Sequence, residues 1–246
     1  MEAIGIRDKT NPDQDKAVLE TIRAKYAHHS SSEAVYLTLK EAIVQLLLKP
    51  GEQISENEIS TRLNISRTPV REAFIRLSLE QLLEIYPQRG TFVARIDLEQ
   101  VEEARFVREH LESAVVRLAA ETFNAEHLFE LETNLMLFER MLAEKNHSKL
   151  FELDEQFHET IAKGCGKGRI WTIIKQMKAH LDRVRILSLV AEYHGNEILE
   201  QHHAIVSAIR SRQPEQAEEV MTKHLHLVLY DLDALQRDYP DYLKRE

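Results

Sequence analysis

A chain of 246 residues, 43% of them hydrophobic, is long enough for one large domain or two modest ones with real cores. Its single cysteine, Cys165, excludes a disulfide framework and suits a reducing compartment. A net charge of -9 excludes a protein that coats nucleic acid indiscriminately, because that task needs a broad basic surface, but it leaves room for a reader with locally placed cations. No apolar run approaches membrane-spanning length, and residues 1–27 lack the basic-then-apolar layout of a signal peptide. A soluble, cytoplasmic protein with no membrane partner is expected.

Residues 1–32 are polar and read as an N-terminal extension with room for a short helix over residues 14–26. From Glu33, the apolar residues Val35, Leu39, Ile43, Leu46 and Leu47 recur at helical spacing until Pro50-Gly51 stops them. Ser55 and Glu58 then stand at capping-box spacing, which predicts a short helix carrying Ile59 and Leu63. Asn64 supplies a turn residue, Ser66 or Thr68 a second cap, and Pro69 fits only the first turn of another helix. In that helix Val70, Phe74 and Leu77 take the core side, leaving Arg67, Thr68 and Arg71 facing outward at its start. Residues 82–86 and 91–95 read as two strands joined by Pro87-Gln88-Arg89-Gly90, a tip able to lay backbone and one cation against a phosphate.

SRTPVREA followed by RGTFV resembles the GntR family of bacterial transcription regulators, over roughly residues 33–95. The resemblance implies a winged helix-turn-helix that binds a double-stranded DNA operator, with Arg67, Thr68, Arg71, Arg89 and Gly90 at DNA-contacting positions. The chain departs from the family at Asn57, where an arginine is common.

Beyond Asp97, glycine and proline nearly vanish and helical periodicity continues, with Val101, Ala104, Val107, Leu111 and Val115 on one side of the first helix. Breaks at Asn124, residues 146–148, residues 164–168, Gly195-Asn196 and Pro214 mark off about six helices, whose short connections predict an antiparallel bundle over residues 97–246. The fold class is therefore mostly α, a winged helix-turn-helix followed by an all-helical bundle. This half resembles the FCD effector domain of the FadR-like branch of the same family.

Asp154 and His158 are four residues apart, so on a helix they share one face; His202 and His224 lie on two later helices. One carboxylate and three imidazoles meeting inside a bundle suit a borderline divalent ion: zinc first, then nickel, manganese or iron. By itself the spacing is more often that of a surface hydrogen bond or a satisfied core histidine. The resemblance adds that FCD domains commonly carry DxxxH, a histidine in an EHxxI-like stretch and another in the last helix; His203 is the substitute if His202 turns outward. It further implies a small carboxylate effector docked at the metal. Arginines would complete such a pocket by gripping the far end of the anion, Arg108 first, with Arg183 and Arg185 behind it.

Two function classes remain. A metal-dependent enzyme acting on a small carboxylate is the alternative, since the same ligands can activate water. Against it, His158-Glu159 is not followed by the second histidine of HExxH, because position 162 is Ala162, and no nucleophile elbow or dinucleotide fingerprint is present. A homodimeric repressor is the expected reading.

Overall fold

The computed structural model describes residues 12–244. These divide into two units: a head holding the described residues up to Asp97 together with residues 239–244, and a bundle, Leu98–Asp238. Among the described residues no helix is long and apolar enough to cross a membrane.

In the head, α1 (Pro12–Lys25) packs on α2 (Ser31–Val44), followed by α3 (Glu56–Arg62) and α4 (Arg67–Leu79). The described part of the N-terminal extension, residues 12–32, is thus an integral part of this unit: Leu19 and Ile22 are buried, and the Arg23 guanidinium donates to the Leu63 carbonyl at the end of α3 at 2.8 Å. The rest of that extension, residues 1–11, lies outside the described residues. Local chemistry fixes the helix-turn-helix as its sequence signals predict. The Ser55 hydroxyl accepts the Glu58 amide at 3.2 Å, and Asn64 takes the left-handed conformation at φ 49°. Strands β2 (Leu83–Tyr86) and β3 (Gly90–Val93) form the wing, but a third strand, β1 (Gln53–Ile54), completes an antiparallel sheet of order β1-β3-β2. At two residues β1 is too short for an alternation to register in the sequence.

The bundle contains α5 (Leu98–Thr122), α6 (Ala125–Ala143), α7 (His147–Gly164), α8 (Gly168–Met177), α9 (Ala179–Val190), α10 (Gly195–Arg210) and α11 (Pro214–Asp238). That is one helix more than the sequence marks. The unmarked break, at Lys178, has no glycine or proline; the Lys178 ammonium is instead buried between Glu155 at 2.7 Å and Asp182 at 2.6 Å. Other breaks obey their caps: Asn124 accepts the His127 amide at 2.8 Å, and Asn146 accepts that of Lys149 at 3.1 Å. The interior is filled by Val115, Val116, Phe123, Leu135, Phe157, Trp171, Ile205 and Met221 with their neighbours.

The last residues, which the sequence assigns to the bundle, belong to the head. Ile96 pairs in parallel with Leu243; its amide donates to the Tyr242 carbonyl at 2.8 Å and its carbonyl accepts from Lys244 at 2.9 Å. A single bridge between residues so far apart leaves no local signature.

Gly164 closes α7 where a Cβ would lie 2.2 Å from the Phe123 ring. Gly164→Ala is therefore expected to cost about 1–3 kcal/mol by overpacking, measurable by urea denaturation; unchanged stability would show that the Phe123 ring has room to move.

Candidate DNA interface and metal centre

In the head, Arg67, Thr68 and Arg71 at the start of α4 are exposed, as are Arg89 at the wing tip and Asn57 on α3. Arg67 pairs with Glu56 at 3.3 Å, with 64% of its side chain exposed. Ser66 stands at the N-cap position without making a side-chain cap bond, so the start of α4 keeps amides available for an acceptor. Gly90 sits at φ 113°, and an added Cβ would meet the Gln53 amide nitrogen at 2.5 Å, while that same amide donates to the Arg89 carbonyl at 3.2 Å. Glycine is what lets the tip bend back over β1 and present Arg89. Other arginines of the segment are engaged elsewhere: Arg76 stacks 3.7 Å from the Tyr36 ring centre and pairs with Glu33, and Arg62 pairs with Glu58 at 2.6 Å.

In the bundle, α7 supplies Asp154 and His158, α10 supplies His202, and α11 supplies His224; all four are buried, and one ligand atom from each lies within 4.8 Å of the others. His203, by contrast, is exposed. The Nε2 atoms of His158 and His224 are 3.2 Å apart, His202 Nε2 is 3.4 Å from Asp154 Oδ1, and His158 Nε2 is 3.6 Å from Asp154 Oδ2. Bonds of about 2.0–2.2 Å to a common ion put neighbouring ligands roughly 3.0–3.5 Å apart, so these separations fit a four-ligand N/O set.

Neighbours that the sequence pattern does not reveal orient the rings. Glu112 on α5 meets His158 Nδ1 at 2.5 Å, and Gln201 Oε1 meets His224 Nδ1 at 3.0 Å. Gln201 draws the His224 ring proton to Nδ1 by hydrogen bonding and the Glu112 carboxylate favours the His158 proton on Nδ1 by its charge, which leaves the two Nε2 lone pairs facing each other. Two lone pairs at that distance repel unless a cation lies between them, and the buried Nδ1 and Nε2 of His202 have no hydrogen-bond partner. The donor set therefore fits a divalent ion. Its protonation fits too. Burial, reinforced by the other imidazoles, pulls His224 well below the usual histidine range, and burial likewise lowers His202. Burial pushes Asp154 up, yet Arg185 with His158 and His202 outweighs it and holds the carboxyl well below the carboxylate range.

Beside the cluster is a cavity of about 60 Å³, lined in part by Arg105, Arg108, Asp154, Arg185 and His224. Arg108 is 4% exposed; its Nε donates to Glu112 at 2.6 Å, while its Nη2 is buried with no partner. Arg185 spends its donors on Asp154, on Glu155 at 2.8 Å and on Asp182 at 2.6 Å. Arg183 is fully buried but does not line the cavity, and burial lowers its guanidinium to about 9. Of the three arginines expected at an effector, Arg108 is thus the one with a donor to give, and Arg105, absent from the sequence reading, joins it at the cavity wall. Cys165 is remote from the ligand set: its thiol donates to the Val115 carbonyl at 3.6 Å.

Residues 31–93 match the model of bacterial regulatory proteins of the gntR family, and residues 103–227 match the FCD domain. The chain is 35% identical over 215 residues to the HTH-type transcriptional repressor RspR of Escherichia coli, covering 87% of this chain and 94% of that one. A transcriptional regulator in an unstable DNA locus of Streptomyces ambofaciens is 33% identical, covering 84% and 87%. Among solved structures, a putative GntR regulator from Rhodococcus matches with a TM-score of 0.71 at 25% identity, covering 84% of this chain and 99% of that one. McbR/YncC of Escherichia coli matches with a TM-score of 0.72 at 22% identity, over 86% and 99%, which establishes the shared fold. The metal-dependent enzyme is thereby set aside: with a gntR-type DNA-binding head and an FCD domain, the chain belongs to the GntR family of transcription regulators.

Proposed function

We propose that this chain is a cytoplasmic, homodimeric repressor whose operator affinity is set by a small carboxylate bound at a divalent-metal site in the bundle. The head over residues 33–95 reads two related half-sites through Arg67, Thr68 and Arg71 of α4 in the major groove, with Arg89 and Gly90 of the wing against the backbone. Asp154, His158, His202 and His224 hold the ion, zinc before nickel, manganese or iron. When bound, the ion supplies open coordination positions for carboxylate oxygens. Arg108 donates its free Nη2 to the same carboxylate, Arg105 adds positive potential at the wall, and Arg185 keeps Asp154 ionised and in place. Among relatives, RspR and a probable D-xylose utilization operon repressor of Paenarthrobacter nicotinovorans, 30% identical, are named as repressors, which favours that sign of control.

The observation carrying this reading is the meeting of four buried ligand atoms, with both nitrogens of His202 left without a hydrogen-bond partner, at the wall of a cavity holding an unpartnered guanidinium donor. A ligand can reset DNA affinity only if it binds the DNA-competent and incompetent forms unequally. Native mass spectrometry of the purified protein is expected to give a dimer with one divalent ion per protomer. A monomer, or a dimer that takes up no ion from added zinc, would overturn the corresponding part of the proposal.

A further inference from the structure

We propose that the effector carries, at the end away from its carboxylate, a hydroxyl or ammonium group, and that Asp231, His194 and Ser188 read it. This rests on the cavity being the effector site.

Helix α11 lays out the cavity along its length. His224, then Leu227 and Val228, then Asp231 fall on one face, and seven residues of α-helix span roughly 10 Å. On α9, Arg185 and Ser188 line the same cavity. Arg185 meets Asp154 at the ligand cluster, whereas Ser188 lies at the Asp231 end with its hydroxyl unpartnered. The cavity therefore runs from a ligand and arginine end, past the apolar side chains of Leu189, Ile198 and Leu227, to a second polar end.

That second end sets a buried acceptor beside an unused hydroxyl. Asp231 is 3% exposed, and its Oδ1 lies 2.8 Å from His194 Nε2. The Ser188 hydroxyl, which lines the same cavity, is buried with no hydrogen-bond partner. A buried hydroxyl left unpaired is costly, and a ligand hydroxyl or ammonium can pair with it and donate to the Asp231 carboxylate at once. A methyl group at that position leaves Asp231 without a further donor, and a second carboxylate meets like charge. After a metal–oxygen bond at one end and a hydrogen bond at the other, roughly 5 Å of the 10 Å remains between the ligand's two terminal heteroatoms, the span of an extended three-carbon or a bent four-carbon acid.

Isothermal titration of the zinc-loaded full-length protein with 4-hydroxybutyrate, 4-aminobutyrate, butyrate and succinate tests this. The hydroxy or the amino acid is expected to bind roughly ten-fold or more tightly than butyrate and succinate. Asp231→Asn and Ser188→Ala should each shrink that ratio; Ser188→Ala, the smaller change, carries the test if Asp231→Asn does not fold. Binding of all four acids alike, or a preference untouched in the variants, would overturn the inference while leaving the effector site standing. Binding of none would overturn the effector reading and the inference together.

Discussion

Replacing His202 with alanine is expected to abolish the part of the protein's thermal stability that depends on zinc. An ion present at about 1,000 times its Kd stabilises the folded state by about 4.1 kcal/mol. For a unit of this size that is on the order of 10 °C in Tm. The absolute Tm of the variant will also fall for another reason: the imidazole stacks on Phe157 with ring centres 3.9 Å apart and meets Phe138 edge-on at 5.5 Å, so alanine leaves a void. The diagnostic quantity is therefore the difference in Tm between zinc-loaded and chelator-treated protein, in which the packing loss cancels. His203→Ala, at the exposed neighbouring position, should keep the full difference. Glu112→Gln should keep a reduced one, since weakening the acceptor on His158 Nδ1 typically lowers metal affinity about 10–100-fold. A His202→Ala protein with the wild-type difference would remove His202 from the metal site.

What the sequence makes legible in this molecule is what acts over one or two turns. The Ser55 cap, the left-handed Asn64, Pro69 and the glycine at the wing tip each constrain the backbone locally, and the structure places all four in those roles. Asp154 and His158 are legible as a pair because one helix carries both. Their convergence with His202 and His224 is a property of how α7, α10 and α11 pack, and only resemblance to FCD domains anticipated it. Glu112 and Gln201 orient rings on other helices, so no spacing marks them. The break at Lys178 is of the same kind, held by Glu155 from α7 rather than by a helix-breaking residue. Arg183 differs from Arg185 for the same reason: it is buried on the same helix but does not line the cavity, because positions two apart on a helix face different neighbours.

Arg67→Ala is expected to weaken operator binding by about 1–3 kcal/mol, roughly 5- to 150-fold, without destabilising the protein. Its pair with Glu56 at 3.3 Å is exposed and contributes little to folding, so the loss should appear in DNA binding. Arg76→Ala is the converse control. That guanidinium lies over the Tyr36 ring and pairs with Glu33, tying α4 to α2, so its removal should lower Tm while the arginines at the start of α4 stay displayed. Arg89→Ala should differ from both: a phosphate contact carries no sequence information, so operator and unrelated duplex should weaken alike, and the slope of log affinity against log salt should fall by about one. Fluorescence anisotropy on both duplexes, across a salt series, separates the three. Should Arg67→Ala bind the operator as the wild type does, with its preference over unrelated DNA intact, base reading would have to reside elsewhere on α4 or in the wing.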